Sequence, residues 1–146
     1  MKLLLPIDGS PLALDAVRHA LRLLHAGLHA KLVRVNVQEP ATFYEQVTLH
    51  DAEALQRLTD AAGQDMLAPA LALVQHAGVP HEAEVLTGNP VPLLLEACER
   101  HRCDAIVMGS HGKGLVQRAW LGSVSQAVLE HAPVPVTLVK ARDDAA

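Results

Sequence analysis

The sequence predicts an α/β protein in which a parallel sheet is covered by helices on both faces. Short apolar runs alternate with amphipathic helical patterns, and glycine or proline stands between them. Half of the 146 residues are hydrophobic, which is enough for a full core. Strands alternating with helices favour parallel pairing through right-handed crossovers. We therefore expect a single domain over residues 1–146, with its core at 2–140 and a frayed tail at 141–146.

The order of the elements follows from these patterns. Five apolar or alternating runs predict strands at 2–7, 32–37, 81–88, 104–108 and 133–139. Helical spacing predicts four helices, at 10–27, at 51–76, from Asn89 through Leu94, Leu95 and Cys98, and at 123–131. The pairs Ser10-Pro11 and Asn89-Pro90 are typical helix starts. We expect Pro69 to kink or split the second helix and Gly63 to weaken it.

Composition excludes several classes of protein. The net charge is −4, no block of basic residues occurs, and Phe, Tyr and Trp occur once each, which argues against a nucleic-acid partner. No apolar stretch reaches the roughly 20 residues of a membrane helix, and the first apolar run is too short for a signal peptide. Two cysteines are too few for a disulfide scaffold. We expect a cytoplasmic protein with no nucleic-acid or membrane partner.

The segment after the fourth strand, GSHGKGLVQRAWLGS, is rich in glycine. Glycines stand at 109, 112, 114 and 122, and a helix follows. Ligands of such sheets bind beyond the carboxyl ends of the strands, where the strand order reverses. That rule nominates this segment and the turn Asp8-Gly9-Ser10. Glycine turns and helix N-termini present backbone N–H groups to phosphate.

A simpler interpretation stays open for both segments. The glycines could serve turns alone, with Ser123 as a helix cap, and Asp8 could simply cap its own turn. Neither a Walker sequence nor a dinucleotide-binding fingerprint is present. A phosphate-binding loop here is therefore of another type.

The spacing G-x2-G-x9-G-S, filled by Gly109, Gly112, Gly122 and Ser123, resembles the ATP-binding signature of the universal stress protein family. The stretches LLLPIDGSPLALDAV, VLTGNP, DAIVMGSHGKG and LGSVSQAVLEHAPVPVTLV are similar to the family as well, so the likeness covers about residues 2–140. It implies a three-layer α/β/α fold of the adenine nucleotide alpha hydrolase-like type. The implied five-stranded parallel sheet has the order 3-2-1-4-5. ATP is the implied ligand, with Mg²⁺ on its phosphates.

The resemblance also assigns binding residues by matched position. Asp8 is implied to contact the nucleoside, and Met108 and Gly109 to approach the ribose. The residues implied to line the adenine are Pro6, Ile7 and Val37. Those implied to hold phosphate through backbone N–H groups are Gly112, Gly122, Ser123 and Val124. The Ser123 hydroxyl is implied to assist, and Ser10 to lie near the phosphates. A homodimer paired antiparallel through strand 133–139 is implied too.

Several polar residues keep two interpretations. Lys113, Arg118 and His111 could touch phosphate or be ordinary loop side chains. The spacing of Cys98, His101 and Cys103 could suit zinc, although a fourth ligand is missing, and buried thiols beside a surface histidine are the alternative. Trp120 is expected to pack against protein rather than on a base.

Catalytic signatures are scarce. No GxSxG elbow occurs, and the first loop carries neither of the HIGH and SGGxDS signatures of nucleotidyl-transferring relatives. We therefore predict a nucleotide-dependent regulator of stress responses that binds ATP. The alternatives are a slow ATPase or autokinase, and a dimeric interaction module without nucleotide.

Overall fold

The computed structural model describes residues 1–40, 51–111 and 121–141. Within these ranges strands and helices alternate along the chain. They are β1 (Lys2–Pro6), α1 (Pro11–His25), β2 (Lys31–Gln38), α2 (Ala52–Ala77), β3 (His81–Thr87), α3 (Pro90–Arg100), β4 (Ala105–Gly109), α4 (Ser123–His131) and β5 (Val136–Val139).

The sheet has the order β3-β2-β1-β4-β5, and every neighbouring pair of strands is parallel. This confirms the predicted fold class and strand order. β1 pairs with β2 on one side and with β4 on the other. After β1, the chain builds β2 and β3 on one side of that strand and then β4 and β5 on its other side. The carboxyl ends of β1 and β4 therefore border the point where the strand order reverses, which is where such sheets bind ligands.

Alternation along β1 builds a core on each face of the sheet. Leu3 and Leu5 pack against α1 and α2, in a cluster that includes Val17 and Leu67. Leu4 lies in the opposite cluster, which α3 and α4 complete. Successive strand residues point to opposite faces. Both faces of β1 are therefore buried, one under α1 and α2 and the other under α3 and α4. The result is the predicted three-layer arrangement.

Helix α2 runs unbroken through Pro69, so the predicted split is wrong. Pro69 is exposed, and so is Asp65, the residue four positions earlier whose carbonyl loses its N–H partner. On the other side of the helix, Leu67 and Val74 are buried against the sheet. The lost hydrogen bond therefore lies at the solvent side, while the packed side keeps the helix continuous.

Gly63, expected to weaken α2, has a packing role. It is buried, and a Cβ atom there would collide with the Val85 side chain and lie 3.0 Å from Asn36 Oδ1. The glycine thus lets α2 approach β2 and β3 closely. Its cost to an isolated helix, about 1 kcal/mol, is offset by that contact.

Strand ends differ from the prediction by a few residues. β5 begins at Val136 instead of residue 133, because Pro135 has no N–H for the ladder, although its carbonyl accepts from the Ile106 N–H at 2.9 Å. β1 ends at Pro6, one residue early, yet the Ile7 N–H still donates to the Val35 carbonyl at 2.8 Å. Among the described helices, none has the length and apolar content to cross a membrane.

Candidate functional site

A cleft of about 500 Å³ opens at the carboxyl edge of the sheet, beside the ends of β1 and β4. Its walls include every predicted binding residue that lies within the described ranges. These are Pro6, Ile7, Asp8, Ser10, Val37, Met108, Gly109, Gly122, Ser123 and Val124. Gly112 lies outside the described residues. The structure thus brings four separate segments of the chain together, and their contact with a nucleotide stays a prediction.

The turn after β1 is fixed by its own side chains. Asp8 Oδ1 accepts from the Ser10 N–H at 2.9 Å, and Gly9 has a φ of +82°, a conformation that favours glycine. The buried Ser10 Oγ accepts from the Ala13 N–H at 3.2 Å, which confirms Ser10 as the cap of α1. Asp8 therefore does cap its turn with one oxygen. No described residue bonds the other oxygen, Oδ2, on the exposed carboxylate at the cleft wall.

The end of β4 lies close against α1 and α4. A Cβ atom on Gly109 would lie 2.9 Å from Leu12 Cγ, so no larger residue fits without movement of Leu12. The Gly109 carbonyl accepts from Ser125 Oγ at 2.8 Å. Gly109 is thus required by packing, in addition to any contact with a ligand.

Helix α4 begins beside this strand end without a side-chain cap. Its N-cap is Gly122, whose N–H donates to the Ser110 carbonyl at 2.8 Å, so the interpretation of Ser123 as the cap is wrong. Among the described residues, the N–H groups of Ser123, Val124 and Ser125 have no acceptor. These three residues line the cleft. Free N–H groups and the positive end of the helix dipole make this end of α4 suitable for an anion.

The charges on the described walls of the cleft are few. Asp8 and Glu39 carry carboxylates, and His111 is a further titratable residue on the wall. No lysine or arginine belongs to this described lining. Lys113, Arg118 and Trp120 lie outside the described residues. Within the described part, the groups suited to attract an anion are therefore the backbone N–H groups at the start of α4.

Six lining residues were missed by the sequence interpretation. They are Ala13, Val35, Glu39, Pro90, Leu94 and Ser125. Val35 could have been found, because it lies two residues before Val37 and faces the same side of β2. Glu39 could have been found as well, because it directly follows β2 and ligands of such sheets bind beyond the carboxyl ends of the strands. Pro90 and Leu94 reach the cleft through the packing of α3, which no local pattern reveals.

The candidate zinc ligands point to different partners. His101 Nδ1 lies 3.0 Å from Glu82 Oε1, and its Nε2 lies 3.3 Å from Glu84 Oε1. Burial raises the pKa of the Cys103 thiol to about 11 and also raises that of Cys98. Both thiols are therefore protonated at neutral pH. No three metal-ligating side chains cluster in the described ranges, so this arrangement gives the zinc interpretation no support.

The carboxylates around His101 belong to an ion-pair network on β3. Glu84 bonds Arg100 twice, at 2.7 and 2.9 Å, and these bonds hold the pKa of Glu84 below its usual value. Glu82 bonds Lys31 Nζ at 3.1 Å, with the same effect on its pKa. The network joins the end of α3 to β3, and none of these residues lines the cleft.

Comparison with known proteins identifies the family. Residues 1–140 match the sequence profile of the Universal stress protein family. A universal stress protein of Thermus aquaticus is 39% identical over 140 residues, which are 94% of this chain and 97% of that protein. One from Methanocaldococcus jannaschii is 31% identical over 139 residues, or 95% of this chain and 81% of that protein.

Solved structures agree with the fold. Universal stress protein UspA from Lactobacillus plantarum has a TM-score of 0.78 at 23% identity, covering 95% of this chain and 97% of that chain. A universal stress protein in complex with cAMP has a TM-score of 0.66 at 25% identity, covering 95% of both chains. An Arabidopsis thaliana family member with AMP bound has a TM-score of 0.71 at 21% identity, covering 99% of this chain and 94% of that chain. Because the profile spans nearly the whole sequence and these relatives cover most of it, the chain belongs to the universal stress protein family.

Proposed function

We propose that this protein binds ATP in the cleft at the ends of β1 and β4 and acts as a nucleotide-dependent regulator in stress responses. The observation that carries the proposal is the convergence on one cleft of an apolar wall, an exposed carboxylate and an uncapped helix N-terminus. The family member solved with cAMP, at 25% identity, supports an adenine nucleotide as the class of ligand.

The apolar part of the cleft suits the base. Pro6, Ile7 and Val37 come from the ends of β1 and β2, and Met108 and Leu94 add apolar surface from β4 and α3. Ligand pockets bind planar, weakly polar groups with such walls and fix their orientation with a few polar atoms. In this proposal, the adenine lies against the ends of these strands.

The ribose and phosphates lie on the polar side. Asp8 Oδ2 accepts from a ribose hydroxyl, while Oδ1 stays in its turn with Ser10. The N–H groups of Ser123 and Val124 donate to phosphate oxygens, and the Ser123 hydroxyl assists. The dipole of α4 favours the same negative charge.

One carboxylate on the wall is left for a magnesium ion that is carried mainly by the nucleotide. Mg²⁺ in such sites takes one or two protein carboxylates beside phosphate oxygens and water. Glu39 is the described wall carboxylate that the ribose contact proposed for Asp8 leaves unassigned. Bound there, the ion would neutralise phosphate charge where the described walls provide no cationic arginine or lysine.

The proposal includes a homodimer paired through β5, predicted within residues 133–139. β5 lies at the edge of the sheet. The Pro135 carbonyl accepts from the Ile106 N–H, and the Val139 carbonyl accepts from the Ser110 N–H just after β4. The alternate residues Val136 and Leu138 therefore direct their N–H groups outward. An apolar edge strand of this kind is a template for pairing with another chain.

The proposed ligand is tested by titrating ATP into the nucleotide-free protein by calorimetry, with UTP and inorganic triphosphate as controls. We expect ATP to bind more tightly than either control. At 100 times its dissociation constant, it should stabilise the fold by roughly 2.7 kcal/mol. Equal binding of all three ligands would contradict a specific adenine site, and absence of binding would contradict the proposal as a whole.

A further inference from the structure

Asn36 is a fully buried polar side chain at the point where β1 and β2 separate. Its exposure is 0%, and its amide nitrogen donates to the Ile7 carbonyl at 2.8 Å. Its Oδ1 accepts from Gln38 Nε2 at 2.7 Å. Met66 Sδ lies 3.4 Å from the amide nitrogens of both side chains. The carboxamide is therefore held from several sides in one orientation.

The pairing of β1 with β2 ends at the Ile7 carbonyl that Asn36 bonds. The Ile7 N–H donates to the Val35 carbonyl at 2.8 Å, as expected for one more rung of a parallel ladder. The next rung would run from the Val37 N–H to the Ile7 carbonyl, which instead accepts from the Asn36 side chain. In the described part of the chain no hydrogen bond joins Val37 to Ile7.

The pairing of β2 with β3 continues past this point. Val37 stays in register with Leu86, and the Gly88 N–H donates to the Gln38 carbonyl at 2.9 Å. N–H and C=O of one strand residue point to the same side, so those of Val37 face β1 rather than β3. They face the gap that opens where β1 has ended, and Val37 lines the cleft at this point.

We propose that Asn36 is a positioning residue that occupies the Ile7 carbonyl and so keeps the Val37 N–H and C=O open toward the base of the bound nucleotide. The inference rests on the proposed function. An N–H beside a C=O complements adenine, whose N1 accepts while N6 donates. Guanine has the opposite polarity at these two atoms. Asn36 thereby acts on base recognition without contacting the ligand.

Loss of the Asn36 amide would leave the Ile7 carbonyl without its buried donor. The Val37 N–H is the next donor along the ladder, and an unpaired buried carbonyl is costly. The two strands would then pair one rung further. The Val37 N–H would bond the Ile7 carbonyl and would no longer be open to the base. Binding of the base should suffer, while the phosphate side at α4 should not.

The test compares AMP with ribose 5-phosphate, which lacks the base, by NMR chemical-shift titration. For Asn36→Ala we expect AMP affinity to fall about tenfold and ribose 5-phosphate affinity to change by less than about twofold. Gln38→Ala, which removes the bond that orients Asn36, should give a smaller loss in the same direction. Arg34→Met is the matched control, because Arg34 is a buried polar residue two positions earlier on the same face of β2, and its guanidinium bonds His81 at the start of β3. It should leave both affinities unchanged.

A second measurement does not depend on the variants. In the nucleotide-free protein, the Val37 amide should exchange with solvent faster than the Val35 amide, and AMP should protect it. Equal protection of both amides without nucleotide would overturn the inference. An equal loss of both affinities in Asn36→Ala, or an unchanged AMP affinity, would overturn it as well. If the wild-type protein binds ribose 5-phosphate and AMP equally or binds neither, that result contradicts the proposed function itself, on which the role of Asn36 rests.

Discussion

Ser125 Oγ donates to the Gly109 carbonyl at 2.8 Å and so joins the first turn of α4 to the end of β4. Ser125 is 3% exposed, so water does not replace this bond readily. A second bond, from the Gly122 N–H to the Ser110 carbonyl, fixes the same helix end. The two bonds attach the start of α4 to Gly109 and Ser110, at the end of β4 beside the cleft.

Ser125→Ala should therefore destabilise the fold. The substitution leaves the buried Gly109 carbonyl without its hydroxyl donor, at a cost of about 1–2 kcal/mol in the free energy of unfolding. Urea unfolding measures this change. Thr59→Ala is the control, because the Thr59 hydroxyl bonds a carbonyl of its own helix, that of Leu55. It should cost less than about 0.5 kcal/mol. Similar losses for both variants would contradict the assigned role of Ser125.

Gly122→Asp should weaken phosphate binding strongly without unfolding the helix. Aspartate is a favourable N-cap residue, so α4 should be as stable as before or more so. Its carboxylate, however, competes for the N–H groups of the first turn and repels phosphate. Gly122→Asn separates the effect of charge from that of size. We expect ATP affinity, measured by calorimetry, to fall at least about tenfold further for aspartate than for asparagine. Equal affinities would show that phosphate does not lie at this helix end.

Gly63→Ala should destabilise the protein although alanine favours helices. The added Cβ would collide with Val85, and overpacking of this kind costs about 1–3 kcal/mol. Val85→Ala should relieve the collision, so the double variant should be more stable than the sum of the single changes predicts. Thermal and urea unfolding of the wild type, the two single variants and the double variant complete this double-mutant cycle. Additive changes would contradict a direct contact.

The pair Glu84–Arg100 should contribute stability at neutral pH that acid removes. The bonds from Arg100 hold the folded-state pKa of Glu84 below its unfolded value. This contribution is complete above the unfolded pKa and is lost as the pH falls through the lowered folded pKa. The pair is partly exposed, so its contribution is roughly 0.5 kcal/mol. Glu84→Gln should reduce stability at pH 7 and reduce the loss on acidification, as measured by urea unfolding. Asp65→Asn, at an exposed site of α2, is the control and should alter neither. An unchanged acid dependence in Glu84→Gln would contradict the role of the pair.

The dimer proposed through β5 should be sensitive to charge at its edge. The Thr137 side chain is exposed in the single chain, and a lysine there should oppose close pairing of two copies. We expect sedimentation to show a dimer for the wild type and for Thr137→Ser, and a monomer for Thr137→Lys. A monomeric wild type, or a lysine variant that stays dimeric, would contradict pairing through this strand.

The fold was predictable because its signals are local and repeated. The triple leucine of β1 and the alternation in β2 specify strands, and Ser10 and Pro11 mark a helix start. The cleft followed from a general rule about strand ends. The split predicted at Pro69 is wrong because the effect of a proline in a helix depends on which side of the helix faces solvent, a tertiary property.

The finer features of the site depend on packing between distant segments. Leu94 reaches the cleft because α3 packs on the face of Val33 and Val35. In the sequence, Asn36 is simply a polar residue within an apolar strand. Its bond to Ile7 becomes visible when β1 and β2 are placed side by side. No local sequence pattern predicts such contacts between residues that are far apart in the sequence.

A crystal structure of the protein grown with excess ATP tests the central claim most directly. The account predicts adenine against Pro6 and Val37, a ribose hydroxyl on Asp8, and phosphate oxygens within hydrogen-bond distance of the Ser123 and Val124 N–H groups. A nucleotide bound elsewhere, or a cleft filled by the protein's own side chains at saturating ATP, would contradict it.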